Sequence, residues 1–408
     1  MEEPSQKDGP VLDWLKQHPP DRVFIETPEG RRSFGETVAE IEARPVTGTE
    51  VVRPWPYFSS VVDLLAVMSK GSAVIVSEET PDRGSVDPSG AASVVFTSGS
   101  SGRAKGARLT MGNWEAAARA SAEHLAHDES DTWLLAMPLH HVAGLSIIVR
   151  SAYAGGAVRM LPGFEPTSVA RELRSGVTMV SVVPTMLNRL LEVDPGPYEG
   201  LKGVLVGGGP IPDGLLERAA GAGLPVLPTY GLTETCGQVA TLRPGSVLEN
   251  RAHPLPGVEL RIEPDERIAV RGPMVSPGYV GEPDRDQGAW FVSGDVGSLD
   301  EDGAVRVTGR ADTVIVSGGE NIDPGVVEDV LSRIHGVDAS LVLGLPSDEW
   351  GMEVVCLYVG EASPTRIETY LRHRLAGFMI PKRWRRVEAL PRTSMGKPDQ
   401  AAAADLFS

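Results

Sequence analysis

The chain has 408 residues, which is the length of two or three globular domains and excludes a small disulfide-stapled module. Hydrophobic residues make up 41% and charged residues 23%, and this ordinary globular composition argues against a wholly disordered protein. Its formal net charge of −17 repels polyanions, which argues against nucleic acid or an anionic membrane as the main partner. The two cysteines, Cys236 and Cys356, lie too far apart for a paired metal-ligand motif, and we expect a reducing compartment.

The start of the chain does not resemble a secretory signal. The first ten residues, MEEPSQKDGP, are polar and acidic, whereas a signal peptide begins basic and then becomes apolar. The apolar run VAGLSIIV ends at Arg150 and is far shorter than the roughly 18 residues that a membrane-spanning helix needs. We therefore expect a soluble, cytoplasmic protein without a membrane partner.

Strands and helices alternate from residue 91 onwards. A β-rich run at 91–97 ends in a Ser/Gly cluster and is followed by an Ala-rich helix over 111–127, which predicts a strand, a glycine loop and a helix. The pattern continues with predicted strands at 132–137, 177–183 and 203–206 and predicted helices over 142–153, 184–192 and 213–222. Because helices separate these strands, we expect a parallel sheet that is covered on both faces.

The pattern changes after about Val258. Short strands with Gly turns are predicted at 259–262, 267–271 and 304–307, and beyond Asp312 helices are predicted over 324–334 and 365–375 and strands at 339–343, 354–358 and 384–387. The predicted fold class is therefore α/β. A large N-terminal domain, residues 1–311, has helix-covered, mostly parallel sheets and a small antiparallel layer, and a small, mobile α+β domain follows at 312–408.

The segment TSGSSGRAKG after the strand at 91–97 has the composition of a phosphate-binding loop. Glycines let backbone N–H groups approach a phosphate, hydroxyls add donors, and lysine supplies positive charge. The candidate residues are Thr97, Ser98, Gly99, Ser100, Ser101, Gly102 and Lys105. It is not a P-loop, because Lys105 is followed by glycine instead of Ser or Thr. A flexible Ser/Gly surface loop is the alternative.

In this form the loop resembles that of the adenylate-forming superfamily, which comprises acyl-CoA ligases, adenylation domains and luciferases. The resemblance continues in fixed order along nearly the whole chain. Its six further segments are PLHHVAGL at 138–145, GGGP at 207–210, YGLTET at 230–235, SGDVG at 293–297, GRADTVIVSGGENIDP at 309–324 and PRTSMGK at 391–397. So many ordered matches indicate membership of this superfamily.

The resemblance implies roles for individual residues. ATP or AMP is expected to contact the loop residues together with Gly207, Gly208, Gly209, Tyr230, Gly231, Thr233, Asp295 and Arg310. Catalytic roles are implied for Lys397, Thr233, Glu234 and His141, and Glu234 is also the expected Mg²⁺ ligand. Asp312 is expected to be the hinge between the domains, and Gly318 and Gly319 are expected to line the coenzyme A tunnel. The chemistry is consistent, because activating a carboxylate with ATP brings two anions together, and lysine and magnesium offset that repulsion. Magnesium usually takes only one or two carboxylates besides phosphate.

Simpler interpretations stay open for some of these residues. Arg310 could form an interdomain salt bridge, His141 could be a capping or core residue, and Lys397 by itself would be an ordinary surface lysine. The segment 366–397 carries nine Lys or Arg against two Glu. That excess positive charge would suit the phosphates of coenzyme A or would simply be a solvated face.

Arg150 points to one branch of the superfamily. Only 96 residues precede Thr97, and short forms of this kind resemble the bacterial o-succinylbenzoate-CoA ligases of menaquinone biosynthesis. Those ligases carry an arginine in the helix beside the acyl pocket, and an arginine in an apolar stretch is costly to bury unless an anion meets it. The resemblance thus implies His141, Arg150 and Gly231 as the acyl-substrate residues. An arginine that reaches solvent from the helix end is the alternative.

The expected function is that of an ATP-dependent acid-CoA ligase that works through an acyl-adenylate, with o-succinylbenzoate as the acid and Mg²⁺ as cofactor. Another aryl- or acyl-CoA ligase, or an adenylation enzyme that loads a carrier protein, is the alternative within the same chemistry. A non-catalytic nucleotide-binding regulator is the alternative from a different class. A homodimer is left open.

Overall fold

The computed structural model describes residues 10–46, 48–52, 57–76, 88, 90–97, 105–311, 313–392 and 398–407. Within these ranges, no helix combines the length and the apolar character that crossing a membrane requires. Seven residues with predicted roles, namely Ser98, Gly99, Ser100, Ser101, Gly102, Asp312 and Lys397, lie outside the described residues.

The described elements of the first 254 residues are eight helices, one 3-10 helix and thirteen strands, and a helix separates most of the parallel strands. Up to residue 97 they are α1 Pro10–Gln17, β1 Val23–Thr27, β2 Gly30–Ser33, α2 Phe34–Ala43, β3 Glu50–Val52, α3 Phe58–Ser69, β4 Val74–Val76 and β5 Ser93–Thr97. The next are β6 Lys105–Leu109, α4 Met111–Leu125, β7 Thr132–Leu135, α5 Val142–Ala154, β8 Ala157–Met160, α6 Pro166–Leu173, β9 Met179–Val182, α7 Pro184–Val193, β10 Gly203–Val206, α8 Asp213–Gly221, β11 Val226–Leu232, a 3-10 helix Thr233–Thr235, β12 Gly237–Thr241 and β13 His253–Pro254.

The remaining elements are mostly strands. They are β14 Glu259–Ile262, β15 Arg267–Arg271, β16 Gly278–Tyr279, β17 Phe291–Leu299 and β18 Val305–Arg310. The last are β19 Ile315–Ser317, β20 Glu320–Ile322, α9 Pro324–Ser332, β21 Ala339–Ser347, β22 Gly351–Val359, α10 Pro364–Arg372, a 3-10 helix Gly377–Met379, β23 Arg383–Arg386 and α11 Gln400–Asp405.

The largest sheet has nine strands in the order β13-β12-β11-β10-β9-β7-β8-β1-β2. Its central strands, from β11 to β1, pair in parallel, and the outer strands pair antiparallel. The predicted parallel sheet is therefore confirmed. Because parallel strands end at the same edge, the loops after β10 and β11, which carry Gly207 and Glu234, emerge side by side.

A second sheet corrects one prediction. Its order is β16-β6-β5-β4-β3, and β6 pairs antiparallel with β5, so that Lys105 lies opposite Thr97. The glycine segment thus joins two strands of a hairpin and does not lead directly into a helix, as the sequence had indicated. The segment KGARL has no alternating apolar pattern, and its strand conformation depends on ladder bonds to β5 and β16.

The predicted antiparallel layer is confirmed as a four-stranded sheet, β14-β15-β17-β18. One of its strands, β17, was not predicted. It contains the SGDVG segment and pairs with β18, so that Asp295 lies opposite Arg310. The sheet therefore brings together two residues whose proximity the sequence does not indicate.

The last part of the chain forms its own sheet, β20-β19-β22-β21, with β23 added in parallel beside β22. Among the described residues, the apolar clusters between Ile315 and Phe407 draw only on that part of the chain. The predicted α+β character is confirmed, although β19 and β20 were not foreseen. Such a segregated core is what an independently packed unit requires.

Polar groups join helix α9 to helix α8. The backbone N–H of Asp213, at the start of α8, donates to Asp329 Oδ1 over 2.9 Å. Arg333 Nη2 lies 3.2 Å from Asp213 Oδ2 and 2.7 Å from Asp329 Oδ2. Pro212, the cap residue of α8, provides no side-chain cap, so a carboxylate from α9 satisfies a donor in the first turn of α8.

Candidate active site

Strands β11, β17 and β18 bring three of the predicted nucleotide residues together. Tyr230 Oη donates to Asp295 Oδ2 over 3.0 Å, and Arg310 Nη1 lies 3.3 Å from Asp295 Oδ1. Burial, followed by the charge of Asp295, raises the pKa of Tyr230, so the phenol stays protonated and acts as the donor. The Asp295 carboxylate is only 13% exposed and is held on both oxygens, which fixes its orientation.

The glycines at the ends of β10 and β11 have a clear packing role. A Cβ on Gly231 would lie 2.1 Å from Gly237 O, and one on Gly207 would lie 2.5 Å from Thr229 O. Gly208 has a φ of +77°, which favours glycine, whereas a Cβ on Gly209 would meet nothing within 4 Å. Close backbone approach therefore requires glycine at 207 and 231, and only position 209 has open space beside it.

A second cluster joins the phosphate-loop lysine to the predicted magnesium ligand. Tyr279 Oη lies 2.5 Å from Glu234 Oε1, and Lys105 Nζ lies 5.0 Å from the centre of the Tyr279 ring. Lys105 Nζ also lies 3.1 Å from Glu282 Oε1. The sequence motifs include Lys105 and Glu234 but not Tyr279 or Glu282, because the segment PGYVGEP is dominated by the turn residues Gly and Pro.

Glu234 fits a magnesium ion that is shared with phosphate. It lies in the 3-10 helix after β11, and its backbone carbonyl accepts from Ser276 N over 2.7 Å. Throughout the described part of the chain, no group of three or more His, Cys, Asp and Glu forms a protein-only metal cage. One hard carboxylate suits Mg²⁺, which keeps several waters and takes further ligands from phosphate.

Arg150 is buried in helix α5 with only 5% of its surface exposed. Its Nε donates to Ser146 O over 3.1 Å and its Nη2 to Ser146 Oγ over 2.9 Å, and its guanidinium lies 4.8 Å from the Trp133 ring centre. Its Nη1 is buried and has no hydrogen-bond partner within the described ranges. Since Arg150 is not exposed, the alternative of an arginine that reaches solvent is wrong.

The Arg150 guanidinium lines a small cavity between α4, α5 and β12. The cavity is also lined by Trp114, Ala117, Ala118, Ser146, Val149, Cys236 and Gln238. Burial lowers the pKa of Arg150 to about 10, so the side chain is still charged near neutral pH. Burial, and next the charge of Arg150, lowers the pKa of nearby His127 to about 4, so that imidazole is neutral there. The cavity lining is mixed, with the positive charge of Arg150 and polar groups of Ser146 and Gln238 beside apolar side chains.

The residues predicted for the acyl and thiol steps lie at several places. His141 directly precedes α5, and its ring centre is 4.2 Å from that of His140. Gly318 and Gly319 form the turn between β19 and β20, with φ values of +60° and +88° that favour glycine. A Cβ on Gly318 would lie 3.2 Å from the Trp350 ring, whereas Gly319 is open.

The predicted loop residues that the structure describes flank the segment 98–104. Thr97 Oγ1 donates to the Lys105 carbonyl over 3.4 Å, which closes the β5–β6 pair at that end. In the C-terminal part, a bridge pairs Arg392 with Pro398 on either side of residues 393–397. Thr233 is partly buried in the same 3-10 helix as Glu234.

Residues 27–280 match the model of the family described as AMP-binding enzyme, and residues 326–397 match its C-terminal domain. A 2-succinylbenzoate–CoA ligase from Listeria monocytogenes is 38% identical over 322 residues, which cover 76% of this chain and 69% of that protein. The o-succinylbenzoate coenzyme A synthetase of Bacillus subtilis, solved with ATP and magnesium ion, aligns with a TM-score of 0.85 at 28% identity, covering 95% of this chain and 98% of the other. A double mutant of that synthetase bound with its product analogue OSB-NCoA aligns with a TM-score of 0.67 at 28% identity, covering 97% and 98%.

Proposed function

This chain belongs to the AMP-binding enzyme family, and we propose that it is an o-succinylbenzoate-CoA ligase of menaquinone biosynthesis that uses ATP, coenzyme A and Mg²⁺. The predicted superfamily, fold class and AMP-forming acid-CoA ligase activity are confirmed by the family match and by the relatives. The observation that carries the choice of acid is Arg150, a buried cation with an unsatisfied Nη1 beside a cavity. A diacid offers one carboxylate for activation and a second for this guanidinium.

In the first step, a carboxylate oxygen of the acid attacks the α-phosphorus of ATP, the bond to the β-phosphate breaks, and pyrophosphate leaves. Lys105 and Lys397 would contact the phosphates, and Asp295, held by Tyr230 and Arg310, would accept hydrogen bonds from the ribose. Magnesium bound at Glu234 supplies neutralisation of the phosphate charge. These groups act by orientation and charge compensation, so no residue forms a covalent bond to the acid.

In the second step, the thiol of coenzyme A attacks the acyl carbonyl, and AMP leaves with the electron pair of the cleaved acyl–oxygen bond. Gly318 and Gly319 would border the thiol path, and His141 would lie between this path and the acyl cavity. Of the basic residues at 366–397, Arg372 and Arg386 form exposed pairs with Glu368 and Glu361. Such exposed pairs are weak and exchange readily for phosphate.

Two domains that change their relative position, 1–311 and 312–408, fit these two steps. The separate apolar clusters of the C-terminal part support this division. The alignments with the synthetase structures support a change in domain arrangement between the two steps. This chain aligns with the ATP complex at a TM-score of 0.85 and with the product-analogue complex at 0.67, although the sequence identity is 28% in both cases. We assign the structure to the adenylate-forming arrangement, in which α9 contacts α8.

Replacing the proposed hinge residue, Asp312→Pro, is expected to stop this rotation because proline fixes φ. Formation of the acyl-adenylate should survive, and thioester formation should fall to near background. Both half-reactions are measured by rapid quench, the second with supplied acyl-adenylate. The matched control is Asp312→Ala, which removes the same carboxylate but leaves φ free, so it should retain far more thioester formation than Asp312→Pro. Overall turnover that matches the wild type in Asp312→Pro would exclude a hinge at this position.

A screen of pyrophosphate release across o-succinylbenzoate, benzoates and fatty acids, with and without coenzyme A, tests the proposed function. We expect release to depend on o-succinylbenzoate and continued turnover to depend on coenzyme A. A preference for a monoacid would favour another acyl-CoA ligase. Turnover with a carrier protein and not with coenzyme A would favour a carrier-loading enzyme. ATP binding without release for any acid would favour a regulatory protein.

A further inference from the structure

One tyrosine connects two predicted phosphate-site residues from distant parts of the sequence, Lys105 and Glu234. Tyr279 is the second residue of β16 and pairs with Ala107 of β6, the strand that begins at Lys105. Its hydroxyl lies 2.5 Å from Glu234 Oε1, and the Lys105 ammonium lies 5.0 Å from its ring centre. The ring of Tyr279 thus contacts the Lys105 ammonium, and its hydroxyl contacts the Glu234 carboxylate.

We propose that Tyr279 is a positioning residue for the metal–nucleotide site, with its hydroxyl orienting Glu234 toward Mg²⁺ and its ring supporting Lys105 toward the phosphates. This inference rests on the proposed function for the placement of ATP, but it does not depend on which acid is activated. It concerns a residue that the sequence motifs do not include.

The hydroxyl is suited to orient a metal ligand. The Tyr279 hydroxyl donates its proton to Oε1 of the Glu234 carboxylate, which can only accept. That bond uses one acceptor position on Oε1 of Glu234, and the remaining lone pairs of the carboxylate would hold the ion. Hydrogen bonds of this kind fix the rotamer of a ligating carboxylate, and their loss typically lowers metal affinity about ten- to a hundredfold.

Backbone contacts keep the tyrosine and the carboxylate in register. The Ser276 N–H donates to the Glu234 carbonyl over 2.7 Å, and Ser276 Oγ donates to Arg108 O over 2.7 Å. The segment that leads into β16 is therefore bonded both to the 3-10 helix and to β6. Tyr279 has little freedom to move away from Glu234 without breaking these bonds.

The ring acts on Lys105 in a different way. The lysine side chain is 48% exposed and pairs with Glu282, which is 49% exposed, so an arriving phosphate can replace that carboxylate. The aromatic face keeps the ammonium near the loop while this exchange takes place. A cation–π contact at such an exposed site is worth about a two- to fivefold change in affinity.

Calorimetry tests the positioning role of Tyr279. It measures the binding of α,β-methylene-ATP with and without Mg²⁺, in the absence of acid and coenzyme A. The carbon bridge prevents adenylate formation, so the measurement reports binding alone. In Tyr279→Phe, which keeps the ring, we expect the Mg²⁺ concentration for half-saturation to rise about ten- to a hundredfold. Metal-free binding of the analogue should remain at the wild-type value. Tyr279→Leu, which also removes the ring, should weaken metal-free binding about two- to fivefold.

The matched control is Tyr198→Phe, which removes a hydroxyl that donates to Asp194 O over 2.6 Å at a distant site. It should leave both measurements unchanged. In a Glu234→Gln background, Tyr279→Phe should add no further loss of Mg²⁺ dependence, because the hydroxyl acts through the carboxylate.

Several results would overturn the role of Tyr279. They are an unaltered Mg²⁺ dependence in Tyr279→Phe, a loss of metal-free binding in that variant as large as its loss of Mg²⁺-dependent binding, and wild-type binding that does not respond to Mg²⁺.

Failure of the proposed function has a different signature. The wild type would then bind the metal–nucleotide analogue, but no acid would support pyrophosphate release.

Discussion

Arg150→Leu is expected to lower kcat/KM for o-succinylbenzoate about ten- to more than a hundredfold, because a charge-assisted hydrogen bond contributes about 1.5 to 3 kcal/mol. The leucine keeps much of the bulk in α5 but cannot pair with a carboxylate. Affinity for ATP should stay nearly constant, since the cavity is lined by α4, α5 and β12 and not by β17 or β18. Activity toward a monoacid should rise relative to the diacid, because the unpaired charge that disfavours it is gone.

The ratio of kcat/KM values for diacid and monoacid, measured in both proteins, decides this prediction. Arg189→Leu is the matched control, because Arg189 also lies over an aromatic ring, that of Phe164, but does not line the cavity.

The stability of Arg150→Leu provides a second readout. Removing a buried charge that has no carboxylate partner among the described residues should leave the free energy of unfolding unchanged or higher. An unaltered substrate ratio with a loss of stability would identify Arg150 as a structural residue.

Lys397→Ala is expected to slow formation of the acyl-adenylate by at least ~100-fold, a typical effect of losing a positioned electrostatic group. The lysine is proposed to stabilise charge only while pyrophosphate is leaving. Thioester formation from supplied acyl-adenylate should therefore change little. Single-turnover measurements of the two half-reactions separate these effects.

Lys16→Ala serves as the control, since Lys16 forms an exposed ion pair with Glu42 in the N-terminal part of the chain. It should leave both half-reactions at the wild-type rate. Equal losses in the two half-reactions of Lys397→Ala would argue against a role confined to the first step.

Local sequence patterns determined six of the helices and three of the central strands, β7, β9 and β10, but not β1, β8 or β11. Strands β10, β14 and β15 have the predicted bounds, and α5 extends one residue beyond its prediction, to Ala154. These elements are short apolar runs or amphipathic segments whose ends carry turn residues, such as Gly155 after α5, which has a φ of +82°. Their signals lie within a few neighbouring residues and are therefore visible in the sequence.

Strands β6 and β17 were missed for the opposite reason. The segments KGARL and FVSGDVGSL contain Gly, Ser and charged residues that favour turns in isolation. Each becomes a strand because a partner strand supplies its hydrogen bonds, β5 for β6 and β18 for β17. Strand pairing of this kind depends on tertiary context, which overrides local preference.

The sequence by itself determined the chemistry that this protein carries: the order of its motifs indicated the superfamily, and a charged residue in an apolar run singled out Arg150. Only the tertiary structure decided how these residues work together. It showed that Asp295 and Arg310 are paired on the neighbouring strands β17 and β18 and that Tyr279 contacts Glu234. It also showed that Arg150 is buried and that its Nη1 has no hydrogen-bond partner among the described residues. Residue types are written in the chain, but such contacts depend on strand register and packing between distant segments, which only the folded chain provides.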